Sequence, residues 1–148
     1  MVRPFVPGDL NALLEIWLEA NCQAHDFIPA SYWRGQREEV GRALPQAEVY
    51  VWAAESGPLG FLGLVGEYVA GLFVRPGAQS RGIGRALLCR AKEEHPRLEL
   101  SVYQKNTRAA AFYCREGFSV LEEKTDKATG EREYTMAWSG QTREELLC

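Results

Sequence analysis

The 148-residue chain has only two histidines and four cysteines, and Cys22, Cys89, Cys114 and Cys148 lie far apart with no C-x-x-C pair among them. Spacing of that kind supports neither a zinc site nor a disulfide framework, so the cysteines read as reduced thiols and no metal is expected. None of them stands beside a local base signature, which argues against a catalytic thiolate. Long apolar runs are also missing: stretches such as Val69 to Val74 fall far short of the roughly 20 residues of a membrane-spanning helix. Arg3 and Asp9 interrupt the first residues, where a signal peptide needs an apolar segment, so a cytoplasmic protein with no membrane partner is expected. Excess positive charge is lacking too. Seventeen Lys and Arg against twenty Asp and Glu give a net charge of −3 and a pI near 5.5, which offers no basic field to a nucleic-acid backbone.

Enough is present for one core. With 46% hydrophobic and 25% charged residues, the composition is that of a globular protein of a single domain. That domain is expected to span residues 1–139, with 140–148 as a charged tail to which no function is assigned. There is no internal repeat or low-complexity segment. Val2 to Val6 is β-prone, and Pro7-Gly8-Asp9 supplies a turn and an N-cap for a helix in which Leu10, Leu13, Leu14, Trp17 and Leu18 recur at three- and four-residue spacing. The pattern breaks from Ala24 to Pro29, a candidate substrate loop, before Ser31 caps a more polar helix stopped at Pro45. Glu48 to Glu55 and Leu59 to Val65 flank Ser56-Gly57-Pro58 as a hairpin, and an apolar strand follows from Tyr68 to Val74. Helical register returns from Arg85 to Glu94. Then come a strand from Leu98 to Tyr103, a helix capped at Asn106 or Thr107 and ended near Gly117, and a last hairpin around Lys127 to Gly130. Interleaved in this way, the elements predict an α/β fold.

The richest stretch is Gln79-Ser80-Arg81-Gly82-Ile83-Gly84-Arg85, between an apolar strand and a helix. Such a loop presents successive backbone N–H groups, and Gly82 and Gly84 carry no Cβ to hold an anion away. The helix that begins there adds its positive dipole end, about 0.3–1 kcal/mol per anion at an exposed site. A plain strand-to-helix turn is the competing reading. The spacing is not that of a Walker A loop, which needs Lys and Ser/Thr after the second glycine, nor is it G-x-G-x-x-G, because Leu87 holds the third position.

Gln79-x-x-Gly82-x-Gly84 after an apolar strand resembles the acyl-CoA-binding motif R/Q-x-x-G-x-G/A of the GCN5-related N-acetyltransferases, the GNAT family. Leu98 to Tyr103 is similar to that family's next strand, Asn106 to its CoA-contacting asparagine, and Phe112-Tyr113-Cys-Arg-Glu-Gly117-Phe118 to its aromatic helix end. The resemblance runs from the first strand to Trp138. It implies the GNAT acyl-CoA N-acyltransferase fold, with a mixed, mostly antiparallel sheet flanked by helices. It also implies direct transfer of the acetyl group of acetyl-CoA, a co-substrate, to a primary amine in a ternary complex. Backbone amides of the loop, with Arg81, Ile83 and Arg85, would grip the CoA pyrophosphate. Leu72, Phe73 and Val74 stand where that family's two splayed strands pair with the pantetheine amides, and Tyr113 matches its thiol-facing tyrosine. Ala24-His25-x-Phe27 followed by Tyr32-Trp33 resembles a bacterial subgroup that includes candidate protein-lysine acetyltransferases.

That chemistry makes two proton demands. The departing thiolate needs a donor, and a phenol of pKa near 10 can donate without being ionised at neutral pH, which suits Tyr113. The acceptor, an amine of pKa about 10.4, must reach its free base at a cost of about 4.6 kcal/mol at pH 7. Many members of the family carry an acid on the fourth strand, where this chain reads Val69-Ala70-Gly71. Two candidate bases are left: Glu67, at the start of that strand and acting through water, and His25, in the helix break. Each has a plain alternative, Glu67 as an exposed strand-end carboxylate and His25 as a partner of Asp26, while Asn106 can be a helix cap and Tyr113 an aromatic packing against Phe112. The acceptor pocket is expected from Trp17, Phe27, Tyr32, Trp33 and Tyr134. Two further readings stay open: a non-catalytic acyl-CoA sensor, which a missing acid would suit, and a transferase of longer acyl groups, for which Gly71 would leave room. Whether the acceptor is a protein lysine or a small amine, and what the oligomeric state is, the residues leave undecided.

Overall fold

The computed structural model describes residues 1–140. Its elements are β1 (Val2–Pro4), α1 (Leu10–Ala24), α2 (Ala30–Ala43), β2 (Glu48–Ala54), β3 (Gly57–Val65), β4 (Tyr68–Val74), α3 (Ile83–Glu94), β5 (Arg97–Tyr103), α4 (Thr107–Arg115), β6 (Ser119–Thr125) and β7 (Arg132–Ser139). Among the described residues the strands form one seven-stranded sheet in the order β1-β2-β3-β4-β5-β7-β6. Every pairing is antiparallel except β4 with β5, so the sheet is mixed and mostly antiparallel, as the family resemblance implies.

Alternation of side chains across the sheet divides the core in two. Leu98, Leu100 and Val102 of β5, with Met136 and Trp138 of β7, pack with Leu87, Leu88 and Ala91 of α3 and with Tyr113 of α4. On the other side, Val49, Val51 and Phe61 pack with Leu13, Ile16 and Trp17 of α1 and Trp33 of α2. Many of these side chains are wholly buried, each worth about 1.5–3 kcal/mol relative to exposure. Lys92 of α3 reaches the Glu116 carbonyl at 2.7 Å and ties α3 to the end of α4.

Several local expectations change. Asp9 does not cap α1; its carboxylate receives both Arg3 amino groups at 2.8 Å and the Val6 N–H at 3.0 Å. The Arg3 hydrogen bonds outweigh the cost of burial and hold the carboxyl below its usual range. Helix α2 starts at Ala30, immediately after Pro29, so Ser31 lies within its first turn. Asn106 does cap α4, its Oδ1 accepting from the Ala109 N–H at 3.2 Å, and Gly117 follows the helix at φ +94°. The expected C-terminal tail lies outside the described residues beyond Gly140, whose N–H donates to the Pro96 carbonyl at 2.9 Å.

One feature of the sheet positions everything else. Strands β4 and β5 pair only at Tyr68 with Glu99 and at Val69 with Leu100. Immediately afterwards β4 bulges: Leu64 of β3 faces Val69 and Gly63 faces Gly71, leaving Ala70 without a cross-strand partner. A bulge bends and twists its strand. From there β4 and β5 no longer pair, and the β5-facing backbone edge of residues 70–74 has no strand partner.

Candidate active site

Two clefts flank this divergence. The larger, of about 1020 Å³, runs from Ala20 and His25 past Leu72, Phe73 and Val74 to the loop from Ala78 to Arg85 and along α4. The smaller, of about 260 Å³, lies between Trp17 and Trp33 on one side and Gly71, Ser101, Tyr103 and Glu133 on the other. Asn21, His25, Leu72, Phe73, Asn106, Ala109 and Tyr113 line both and form the wall between them.

The loop turns through two residues with left-handed backbone. Ser80 sits at φ +65° and Gly82 at φ +81°, and Gly82 immediately precedes α3. The N–H groups of Ile83, Gly84 and Arg85 belong to the first turn of α3 and have no acceptor within the helix, which leaves them to an anion. Arg108 braces the loop from α4, donating to Gln79 Oε1 at 3.2 Å and Ser80 Oγ at 2.7 Å. Gln79 in turn donates to the Val74 carbonyl at 3.4 Å. Of the residues expected to bind the cofactor, Leu72, Phe73, Val74, Gln79, Gly82, Ile83, Gly84, Arg85, Asn106 and Tyr113 line the large cleft, and Arg81 does not. Arg81 is exposed beside the loop; Arg85, Lys105, Arg108 and Arg115 supply the cleft's positive charge, with Glu116 its one carboxylate among the described residues. A long, cation-lined groove beside an open strand edge fits a diphosphate on an extended amide-bearing arm.

Tyr113 is buried, its ring edge-on to Phe112 and Phe118 at 5.3 and 5.5 Å. Burial pushes its phenol up from the ordinary value, so the hydroxyl keeps its proton and stands as a donor in the dividing wall. His25 shares that wall, with its ring 5.0–5.6 Å from those of Tyr103, Trp33 and Phe27. Asn21 Nδ2 donates to the Trp17 carbonyl at 2.9 Å, which turns Asn21 Oδ1 toward His25 Nδ1 at 3.0 Å. Asn106 Oδ1 is taken by the Ala109 N–H, which turns Asn106 Nδ2 toward His25 Nε2 at 3.1 Å. The imidazole is therefore neutral with its proton on Nδ1, and burial lowers its pKa to about 4. The expected partnership with Asp26 is replaced by Asn21 and Asn106. In this arrangement the lone pair of His25 Nε2 is occupied by the Asn106 amide.

Glu67 is not brought to either cleft. It occupies the β3–β4 turn at the paired end of β4, its carbonyl accepting from the Glu99 N–H at 3.0 Å and its half-exposed carboxylate 3.9 Å from Arg97. The strands part at the other end of β4, beyond Val69.

The expected acceptor aromatics divide. Trp17 and Trp33 line the small cleft, while Phe27 and Tyr32 pack partly buried beside it. Tyr134 faces the opposite side of the sheet, with Val102 and Met136. Its neighbour Glu133, paired with Tyr103, takes the cleft side. A shift of one residue in a strand exchanges faces, and the hairpin pattern alone did not specify that parity. The space beside Gly71 is filled by the Phe73 ring, into which a Cβ at position 71 would run; room for a long acyl chain is not found there.

A family model described as an acetyltransferase (GNAT) domain matches residues 45–120, from the turn before β2 into β6. The chain belongs to the GNAT family of N-acetyltransferases, whose acyl donor is acetyl-CoA. It is 39% identical over 140 residues to the peptidyl-lysine N-acetyltransferase YiaC of Escherichia coli K12, covering 93% of this chain and 96% of that protein. It is 35% identical over 109 residues to the peptidyl-lysine N-acetyltransferase YjaB of Salmonella typhimurium LT2, over 73% and 75% of the two chains. The solution structure of apo YjaB from Escherichia coli superposes with a TM-score of 0.83 at 29% identity, covering 95% of this chain and 97% of that one.

Proposed function

We propose that the chain acetylates the side-chain amine of lysine in a peptide or an exposed protein segment, using acetyl-CoA in a ternary complex. The observation that carries this reading is the wall that the two clefts share: a cation-lined groove reaches Tyr113 from one side and an aromatic cleft reaches it from the other. The names of YiaC and YjaB, peptidyl-lysine N-acetyltransferases, favour lysine over other amines.

Acetyl-CoA supplies an acyl group activated as a thioester. The first-turn N–H groups of α3, with Arg85 and Arg108, hold its phosphates, and the open edge of β4 at Leu72, Phe73 and Val74 hydrogen-bonds its amides as an added strand would. An acceptor entering as the ammonium gives one proton to water and attacks as the free amine, with the C–N bond forming and the C–S bond breaking. The Tyr113 hydroxyl gives its proton to the leaving sulfur, and the second proton shed by the nitrogen restores the phenol. Trp17 and Trp33 shield this exchange from solvent.

The test is release of CoA thiol, followed with the wild-type protein, acetyl-CoA and a panel of lysine peptides and small amines. Acceptor-dependent release with a lysine peptide is expected, and Tyr113→Phe should lower kcat about ten- to a thousandfold with acetyl-CoA affinity little changed. Binding of acetyl-CoA without acceptor-dependent release would replace this reading with a sensor role, and an unchanged kcat would remove Tyr113 from the reaction.

A further inference from the structure

Glu133 is the single charged side chain, among the described residues, that lines the small cleft, and no cation there answers it. It makes no ion pair in the described part of the structure. Lys124 is its cross-strand partner on β6 but lies outside ion-pair distance. The neighbouring carboxylate, Asp126, is already engaged: the Tyr103 hydroxyl donates to it at 2.6 Å and the Ala128 N–H at 3.0 Å. His25, across the cleft, is neutral. Two residues that line the same cleft each hold a buried polar atom without a partner, Trp33 Nε1 and Ser101 Oγ, and Trp33 is only 7% exposed. A buried polar group left unpaired is costly, and a cleft walled by two such residues and by a partly exposed carboxylate with no ion pair suits a polar, cationic occupant.

We propose that Glu133 is the acceptor-recognition residue of the small cleft, its carboxylate receiving the ammonium of an alkylamine acceptor while Trp17, Trp33 and Tyr103 enclose the alkyl stem. This rests on the acetyl-transfer reading above and adds what selects the acceptor. A volume of about 260 Å³ accommodates one alkylamine side chain and excludes a folded surface, so the lysine must project from an extended segment. Desolvation, with the charge of Asp126 added, raises the carboxyl of Glu133 above its ordinary range, and Lys124 opposes this; a bound ammonium relieves that same strain. The site therefore gains most from an acceptor that arrives protonated, and it holds that acceptor beside the wall where the proton must be shed.

Steady-state kinetics of Glu133→Gln test this with the amine that the wild type turns over best. The KM for the amine should rise about ten- to a hundredfold, the range of a lost charge-assisted hydrogen bond, while the KM for acetyl-CoA stays within twofold. Glu133→Asp should restore part of the loss, and Glu122→Gln, an exposed carboxylate on β6 outside both clefts, should change neither constant. Calorimetry on protein saturated with CoA gives a readout without turnover: Nα-acetyl-lysine N-methylamide should bind Glu133→Gln about ten- to a hundredfold more weakly than wild type, and its norleucine counterpart equally to both. Equal amine KM in Glu133→Gln and wild type, or a best acceptor with no alkylammonium group, overturns the assignment of Glu133 alone. Absence of thiol release from the wild type with any amine overturns the acetyl-transfer reading and this assignment with it.

Discussion

Four hydrogen bonds, from Asn21 to Trp17, His25 to Asn21, Asn106 to His25 and Ala109 to Asn106, fix which nitrogen of His25 carries its proton. An imidazolium could not keep them, because its Nε2–H would confront the Asn106 amide, and burial lowers its pKa from 6.5 to about 4. Between those values the unfolded chain binds a proton that the folded one refuses. The stability tied to neutral His25 is present above about pH 6.5 and is lost as pH falls through about 4. Melting temperatures measured from pH 7 to pH 4 should therefore fall more steeply for wild type than for His25→Gln; equal slopes would mean that the ring protonates in place. At this scale the sequence was informative where spacing specified a role. Gly82, Gly84, Asn106 and Tyr113 stand at fixed distances along the chain, and all four line the large cleft. Arg108 and Glu133 announced nothing, because their positions depend on helix phase and strand parity. Asn21 carried a faint signal: it lies four residues before His25, one helical turn away.

Among the elements, the strand, loop and helix from Tyr68 to Glu94 owe their geometry to few residues. Gly82 occupies φ +81° with open space where a Cβ would stand. Replacing it by Ala should cost about 1 kcal/mol of stability from backbone strain alone. The new methyl also enters the approach of an anion to α3, so the Kd for acetyl-CoA should rise tenfold or more. Gly130→Ala separates the two effects: Gly130 has φ +77° and equally open surroundings in the β6–β7 turn, far from the loop in sequence and outside both clefts. It should lose similar stability and leave the acetyl-CoA Kd, measured by calorimetry, unchanged. Element type and order were readable because apolar periodicity and turn chemistry agree over most of the chain. The side-chain cap of α1 was not: the helix begins at Leu10 after Asp9 as read, but Arg3, six residues earlier on β1, takes the Asp9 carboxylate. The bulge at Ala70 was hidden as well; β4 reads as an uninterrupted apolar strand, and only its register against β3 reveals the extra residue.

For the whole molecule, a donor that binds only the folded chain raises its stability by about 2.7 kcal/mol at a hundredfold excess over Kd, which for a domain of this size is a melting-temperature increase of roughly 5–10 °C. Scanning calorimetry with and without acetyl-CoA should show it, and no shift at saturating concentration would count against the groove as the donor site. The overall plan was foreseeable through the resemblance carried by Gln79 to Gly84, Asn106 and Tyr113, whereas the meeting of two clefts at a common wall depends on where two strands part. Only two residue pairs, Tyr68 with Glu99 and Val69 with Leu100, stitch β1 to β4 onto β5 to β7. A guest lying along the parted edges would itself serve as backbone connecting the two leaves of the sheet. On the proposed reading, letting spent CoA go would then mean unzipping part of the protein's own fabric, beside the bulge at Ala70.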